Sequence, residues 1–241
     1  VILAPPRFLK PKNMRTLGMI GGTSWHSTIE YYRLINQLVG EKKGTHLNPP
    51  LILYSLNIEV MRSGDKERIN QTYLDVARKL RSAGAEALII CANTPHMAVP
   101  FVAPQIDIPF LHIADATGIA AQKAGLKTLG LLGNKPTMTG DFIPGRLKAK
   151  FGIETIIPDD EFLDQSHHFV SRELTQGRFT DEAKTFFLQQ IERLRDKGAD
   201  GIILGCTELP VLLKQSDIDF PLLPTTDLHA KMAADFITTP K

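Results

Sequence analysis

Residues 73–94 read YLDVARKLRSAGAEALIICANT, and residues 187–208 read FLQQIERLRDKGADGIILGCTE. In both, apolar residues recur at helical spacing among charges, a glycine (Gly84, Gly198) closes the run, four mostly apolar residues follow, and a short polar tip ends the segment. Glycine suits that place because it enters the left-handed backbone region without steric penalty. The offset is 114 throughout, from 73 to 187 and from 94 to 208. A second pair, LGMIGG at 17–22 and LGLLGN at 129–134, repeats at an offset of 112. The chain therefore reads as two related halves.

Strand-sized apolar runs at 17–20, 51–54, 87–90, 129–132 and 201–204 alternate with longer amphipathic stretches such as 69–83 and 181–197. That alternation is the mark of an α/β fold with parallel sheets. The expected architecture is two pseudo-symmetric lobes, each a mostly parallel sheet flanked by helices, with the active site in the crevice between them. Loops at the carboxyl ends of parallel strands line such crevices, so the tips 92–94 and 206–208 are expected on opposite walls. The expected division is a flexible leader over 1–13, a first lobe of 14–114 plus 215–241, and a second lobe of 115–214. A final helix at about 226–237 would pack back on the first lobe.

A 43% hydrophobic fraction over 241 residues is enough for a sizeable core. Lys and Arg number 28 against 26 Asp and Glu, and the basic residues are scattered, which argues against nucleic acid as a partner. No apolar run approaches the roughly 18 to 20 residues of a membrane span, so no membrane partner is expected either. Residues 1–13 set Pro5, Pro6 and Pro11 among Arg7, Lys10 and Lys12, unlike a signal peptide. Cys91 and Cys206 form no secreted disulfide framework, and the expected location is cytoplasmic. His167 and His168 point apart on a helix without a third ligand at metal spacing, and Gly21-Gly22 lacks the dinucleotide pattern. Neither a metal nor a nucleotide cofactor is expected.

Cys206 closes an apolar strand and is followed by a hydroxyl and a carboxylate, Thr207 and Glu208, a setting for a reactive thiol. Backbone N–H groups of a following helix are expected to lower its pKa. Its counterpart in the first repeat is Ala92. Cys91, one position earlier, projects to the other strand face and reads as packing.

Four segments in order, Gly21-Gly22-Thr23-Ser24-Trp25, Asn93-Thr94-Pro95-His96, FLHIADAT at 110–117 and Gly205-Cys206-Thr207-Glu208, resemble the aspartate/glutamate racemase family over about 14–237. Glu208, where glutamate racemases typically carry His, resembles the aspartate branch. The resemblance implies a cofactor-independent, pyridoxal-free racemase of a small amino acid: one thiolate removes the α-proton and a thiol on the other face returns one. It implies that Asn93, Thr94, Thr137 and Thr207 hold the α-carboxylate and amino group, that the turn with Gly22 and Thr23 closes the pocket, and that Glu208 lines it. It implies further that Arg62 binds a substrate carboxylate and that the enzyme is a homodimer.

Two positions depart from the family pattern. The residue before the Asn-Thr pair is usually Cys, in some members Thr, and here it is Ala92, whose methyl group moves no proton. Racemisation is therefore expected to be strongly impaired. Where aspartate-specific relatives place a lysine for the side-chain carboxylate, this chain pairs Gln165, which carries no charge. A single-cysteine decarboxylase and a non-catalytic amino-acid binding protein stand as the alternatives. His96 reads as a structural or pocket-wall residue.

Overall fold

A computed structural model describes residues 14–240, so the leader read over 1–13 lies outside the described residues. The first half runs β1 (Leu17–Gly21), α1 (Trp25–Lys43), β2 (Leu51–Ser55), α2 (Glu59–Arg62), α3 (Lys66–Ser82), β3 (Ala87–Ile90), α4 (Val99–Val102) and α5 (Ile113–Lys123). The second runs β4 (Thr128–Leu132), α6 (Lys135–Thr139), α7 (Pro144–Phe151), β5 (Glu154–Ile156), α8 (Asp160–His168), α9 (Asp181–Asp196), β6 (Gly201–Leu204), α10 (Leu209–Leu212), β7 (Leu222–Pro224) and α11 (Thr225–Thr238).

The strands form two all-parallel sheets, ordered β2-β1-β3 and β5-β4-β6-β7. A parallel bridge from Leu88 to Phe110 gives the first sheet a vestigial fourth position where the second has β7. The repeat extends to single hydrogen bonds. Leu88 N donates to Pro109 O as Ile202 N does to Pro221 O, and Glu86 N donates to Thr16 O as Asp200 N does to Thr128 O.

The repeated segments fold as their spacing dictates. Asp65 caps α3 by accepting from Arg68 N, and Thr180 caps α9 by accepting from Ala183 N. Each helix lays one apolar stripe on its sheet, Tyr73, Leu74, Ala77 and Leu80 in α3 and Phe187, Ile191 and Leu194 in α9. Gly84 and Gly198 then turn the chain at φ of 101° and 98°. The strands that follow are buried along their whole length, as a sheet covered on both faces requires.

The other face of each sheet is covered by an exchanged helix. Ala114 and Ala121 of α5 belong to the core that holds Leu129, Leu131 and Leu147 of the second half. Ala230, Ala233 and Ala234 of α11 pack with Leu17, Met19, Tyr31 and Ile35 of the first. Since β7 pairs with β6, the chain is still in the second sheet after position 214 and crosses back at α11. The two lobes are thereby tied by both helices.

Candidate active site

The two tips lie side by side because equivalent backbone bonds carry them past the strand ends. Cys91 N donates to Ile20 O at 2.9 Å and Gly205 N to Leu132 O at 2.7 Å. Across the crevice they meet at one hydroxyl. Ser27 Oγ donates to Cys91 O at 2.7 Å and contacts Thr207 Oγ1 at 2.8 Å; with its single proton spent, it accepts from Thr207. A second clasp repeats this with the halves exchanged. Thr94 Oγ1 and Thr137 Oγ1 are 2.9 Å apart, and Asn134 Nδ2 donates to Thr94 Oγ1 at 3.3 Å while Asn134 Oδ1 caps α6 through Thr137 N.

Cys206 is 9% exposed, and its thiol donates to Glu208 Oε2 at 2.8 Å. Burial first, then the adjacent carboxylate, push the thiol well above its ordinary value. Backbone N–H groups of Glu208 and Leu209 pull the other way but are outweighed. The lowering expected from the sequence is thus reversed, because burial and the adjacent carboxylate outweigh what α10, a single turn of four residues with little dipole, can offer. The resting group is a thiol with a base already in contact.

The opposite wall carries no such pair. Ala92 is partly buried, and Cys91 is sunk in the core beside Tyr31 and Ala230, where burial pushes its thiol up and leaves it inert. His96 is fully buried beneath this tip. Its Nδ1 donates to Ala92 O at 2.8 Å and its Nε2 accepts from Ile113 N at 3.3 Å, so both nitrogens are committed, and burial keeps the ring neutral. It braces the tip against α5 and has no proton to give.

Asn93 is 6% exposed and its Oδ1 has no hydrogen-bond partner among the described residues. A buried acceptor left unpaired costs about 1–3 kcal/mol, which a ligand N–H would recover. The turn beside it is fixed by Gly22 at φ 89°, where a Cβ would fall 2.0 Å from Leu56 O. Thr23 Oγ1 is tied to the buried Tyr73 hydroxyl at 2.8 Å.

Arg62 is exposed on α2 and pairs with Glu59 at 3.3 Å, and Gln165 is exposed on α8 next to Ser166, whose Oγ donates to Gly133 O at 2.8 Å. Ser27, Asn134 and Tyr73 were missed; each is an ordinary helical or capping residue by local pattern, and only the meeting of the halves gives it a role. Beside Thr207 and Glu208 a groove of about 490 Å³ opens between α1 and the 174–179 segment, with His26, Glu30 and Asp227 on its other walls.

The family model for Asp/Glu/Hydantoin racemase matches residues 20–233. A Yersinia pestis protein assigned provisionally as an Asp/Glu racemase is 37% identical, with a TM-score of 0.88, and the match covers 94% of this chain and 100% of that one. An aspartate racemase homologue from Pyrococcus horikoshii OT3 is 32% identical with a TM-score of 0.84, over 94% of this chain and 100% of that one. The broad specificity amino-acid racemase RacX of Bacillus subtilis strain 168 is 24% identical over 185 residues, which is 76% of this chain and 79% of that protein. With the match spanning nearly the whole of both halves and both tips, the chain belongs to the Asp/Glu/Hydantoin racemase family.

Proposed function

We propose that the protein is a cofactor-independent amino-acid racemase in which Cys206 moves the α-proton on one face and Ala92 leaves the other face without a base. The observation that carries this reading is the Cys206–Glu208 contact at 2.8 Å on one tip, opposite a tip whose equivalent residue is alanine. Glu208 takes the thiol proton as substrate binds, and the thiolate removes the proton on Cα. The re-formed thiol, after exchange with solvent through Glu208, returns a proton to the same face, so the α-hydrogen exchanges with retention while inversion is strongly impaired. Each transfer is balanced within the Cys206–Glu208 pair.

Asn93 Oδ1 is free to accept from the substrate ammonium, and the hydroxyls of Thr94 and Thr137, bonded to each other, and of Thr207, bonded to Ser27, exchange those bonds for the α-carboxylate. Gly22 and Thr23 hold the backbone that closes this end. The reading includes a homodimer: Trp25, Ile29 and Tyr32 of α1 and Leu53 of the edge strand β2 leave an apolar surface exposed. It also includes a reducing cytoplasm, in keeping with two free cysteines.

The test is loss of the α-proton signal in deuterium oxide, followed by NMR for a panel of amino acids with the protein and its Cys206→Ser variant. The variant is expected to exchange about a hundred- to ten-thousand-fold more slowly. Equal exchange by the two proteins rules the assignment out. The single thiol also suits a decarboxylase that protonates a planar carbanion from one face, and carbon dioxide release from disubstituted malonates distinguishes it.

A further inference from the structure

The repeat supplies a comparison inside one chain. Asp115 in the first turn of α5 and Asp227 in the first turn of α11 stand at equivalent positions, 112 apart. Asp115 is gripped by Arg146 at 2.6 and 2.9 Å and by Lys150 at 2.7 Å. Asp227 accepts from no cationic side chain among the described residues; burial holds its carboxyl above the ordinary range, although Arg33 and Lys214 lie near enough to pull it the other way. The same fold position thus carries a satisfied carboxylate on one side and an unclaimed one on the other.

The unclaimed one faces the groove that Thr207 and Glu208, the two residues after Cys206, help to line. Phe179 and Val211 are exposed large apolar side chains on its wall, and Asp227 belongs to α11. Thr226 also lines it, close to the Tyr31 hydroxyl, which is engaged with His229 Nδ1 at 2.9 Å. A groove with a few apolar wall residues, Leu174, Phe179, Pro210 and Val211, and a carboxylate outside any ion pair suits a long side chain with a donor at its end.

We propose that this groove receives the substrate's side chain and selects an aliphatic chain ending in an ammonium or guanidinium, held by Asp227. The proposal rests on the α-carbon chemistry assigned above to Cys206. A side-chain carboxylate finds poor company there, since Glu208, Asp227 and Glu30 share the groove. Arg33 is spent on Glu30, at 2.6 and 2.9 Å, and on Gln37. Arg62 and Gln165 are not among the residues that line the groove, and the exposed Lys214 ammonium donates to Pro210 O at 2.6 Å.

Two readouts test this. The first is α-proton exchange in deuterium oxide for lysine, ornithine, arginine, aspartate and glutamate, each as both enantiomers. The basic amino acids are expected to lead the acidic ones in kcat/KM by at least about tenfold, and Asp227→Asn to raise KM for lysine by at least about tenfold while Asp227→Glu restores it. The second is calorimetric binding of lysine and aspartate to Cys206→Ser, which needs no turnover. Tighter aspartate binding there, through Lys214 for instance, or an Asp227→Asn variant with unchanged lysine KM, overturns the subsite. Exchange that survives in Cys206→Ser instead overturns the assignment of the thiol, and the binding preference then still decides the subsite.

Discussion

Ala92→Cys is the substitution whose effect the repeat allows to be worked out beforehand. Position 92 is the counterpart of Cys206, and the two tips are joined through one hydroxyl, Ser27 Oγ, at 2.7 Å to Cys91 O and 2.8 Å to Thr207 Oγ1. An introduced thiol therefore starts from a backbone facing the same small space from the other wall. A positioned acid/base is worth about a hundred- to ten-thousand-fold, or about 3 to 5 kcal/mol of barrier. The lower end applies here. Cys206 has Glu208 as its carboxylate, whereas the residue two beyond 92 is Thr94, already bonded to Thr137. The expected gain in inversion is about a hundredfold, with exchange on the Cys206 face little changed. The assay compares stereochemical inversion by circular dichroism with α-proton loss in deuterium oxide, on protein shown by thermal melting to be folded. Inversion that stays at the parent rate in folded Ala92→Cys refutes the reasoning.

Three further outcomes follow from the same geometry. Glu208→Gln removes the charge that raises the Cys206 thiol and the base that takes its proton, so alkylation by iodoacetamide should titrate at lower pH while α-proton exchange falls about ten- to a hundredfold; an unmoved titration contradicts the pairing. His229 is buried with its pKa lowered to about 4, by burial first, so its neutral form stabilises the fold fully above the unfolded value of 6.5, and that stability is lost as pH falls from 6.5 through about 4. Its share is on the order of 3 kcal/mol, and urea midpoints should drop across that window; a flat profile counts against it. Gly22→Ala forces a side chain into φ 89° and against Leu56 O, and should cost more than about 2 kcal/mol by chemical denaturation, where a cost near zero would show that the turn can relax.

The helix, glycine and strand of each repeat were legible because each local pattern is strong and agrees with its twin. The strands Glu154–Ile156 and Leu222–Pro224 were not, being three residues long with no room for a period to show. For that reason the return to the first lobe was set at 214, although IPFLHIAD at 108–115 and FPLLPTTD at 220–227 repeat at the same offset of 112 as the first strands. Strand alternation alone sent Cys91 into the core; Cys206 is also buried, packed in the core of the second half, and the residues after it, Thr207 and Glu208, line the groove. The direction of the Cys206 pKa was not legible, since it depends on how deeply the thiol is buried and on the rotamer of Glu208. Arg62 and Gln165 were carried over from the family pattern, and nothing in their local sequence shows that both side chains are exposed, the first paired with Glu59 on the short helix α2.

One number tests the one-sided wall most directly: the ratio of α-proton loss to inversion for the enantiomer that exchanges, measured together in deuterium oxide. A thiol on a single face predicts that the proton washes out at least about a hundred times faster than the centre inverts. Equal rates would mean that a second group protonates the face above Ala92, and the account of this crevice would be wrong.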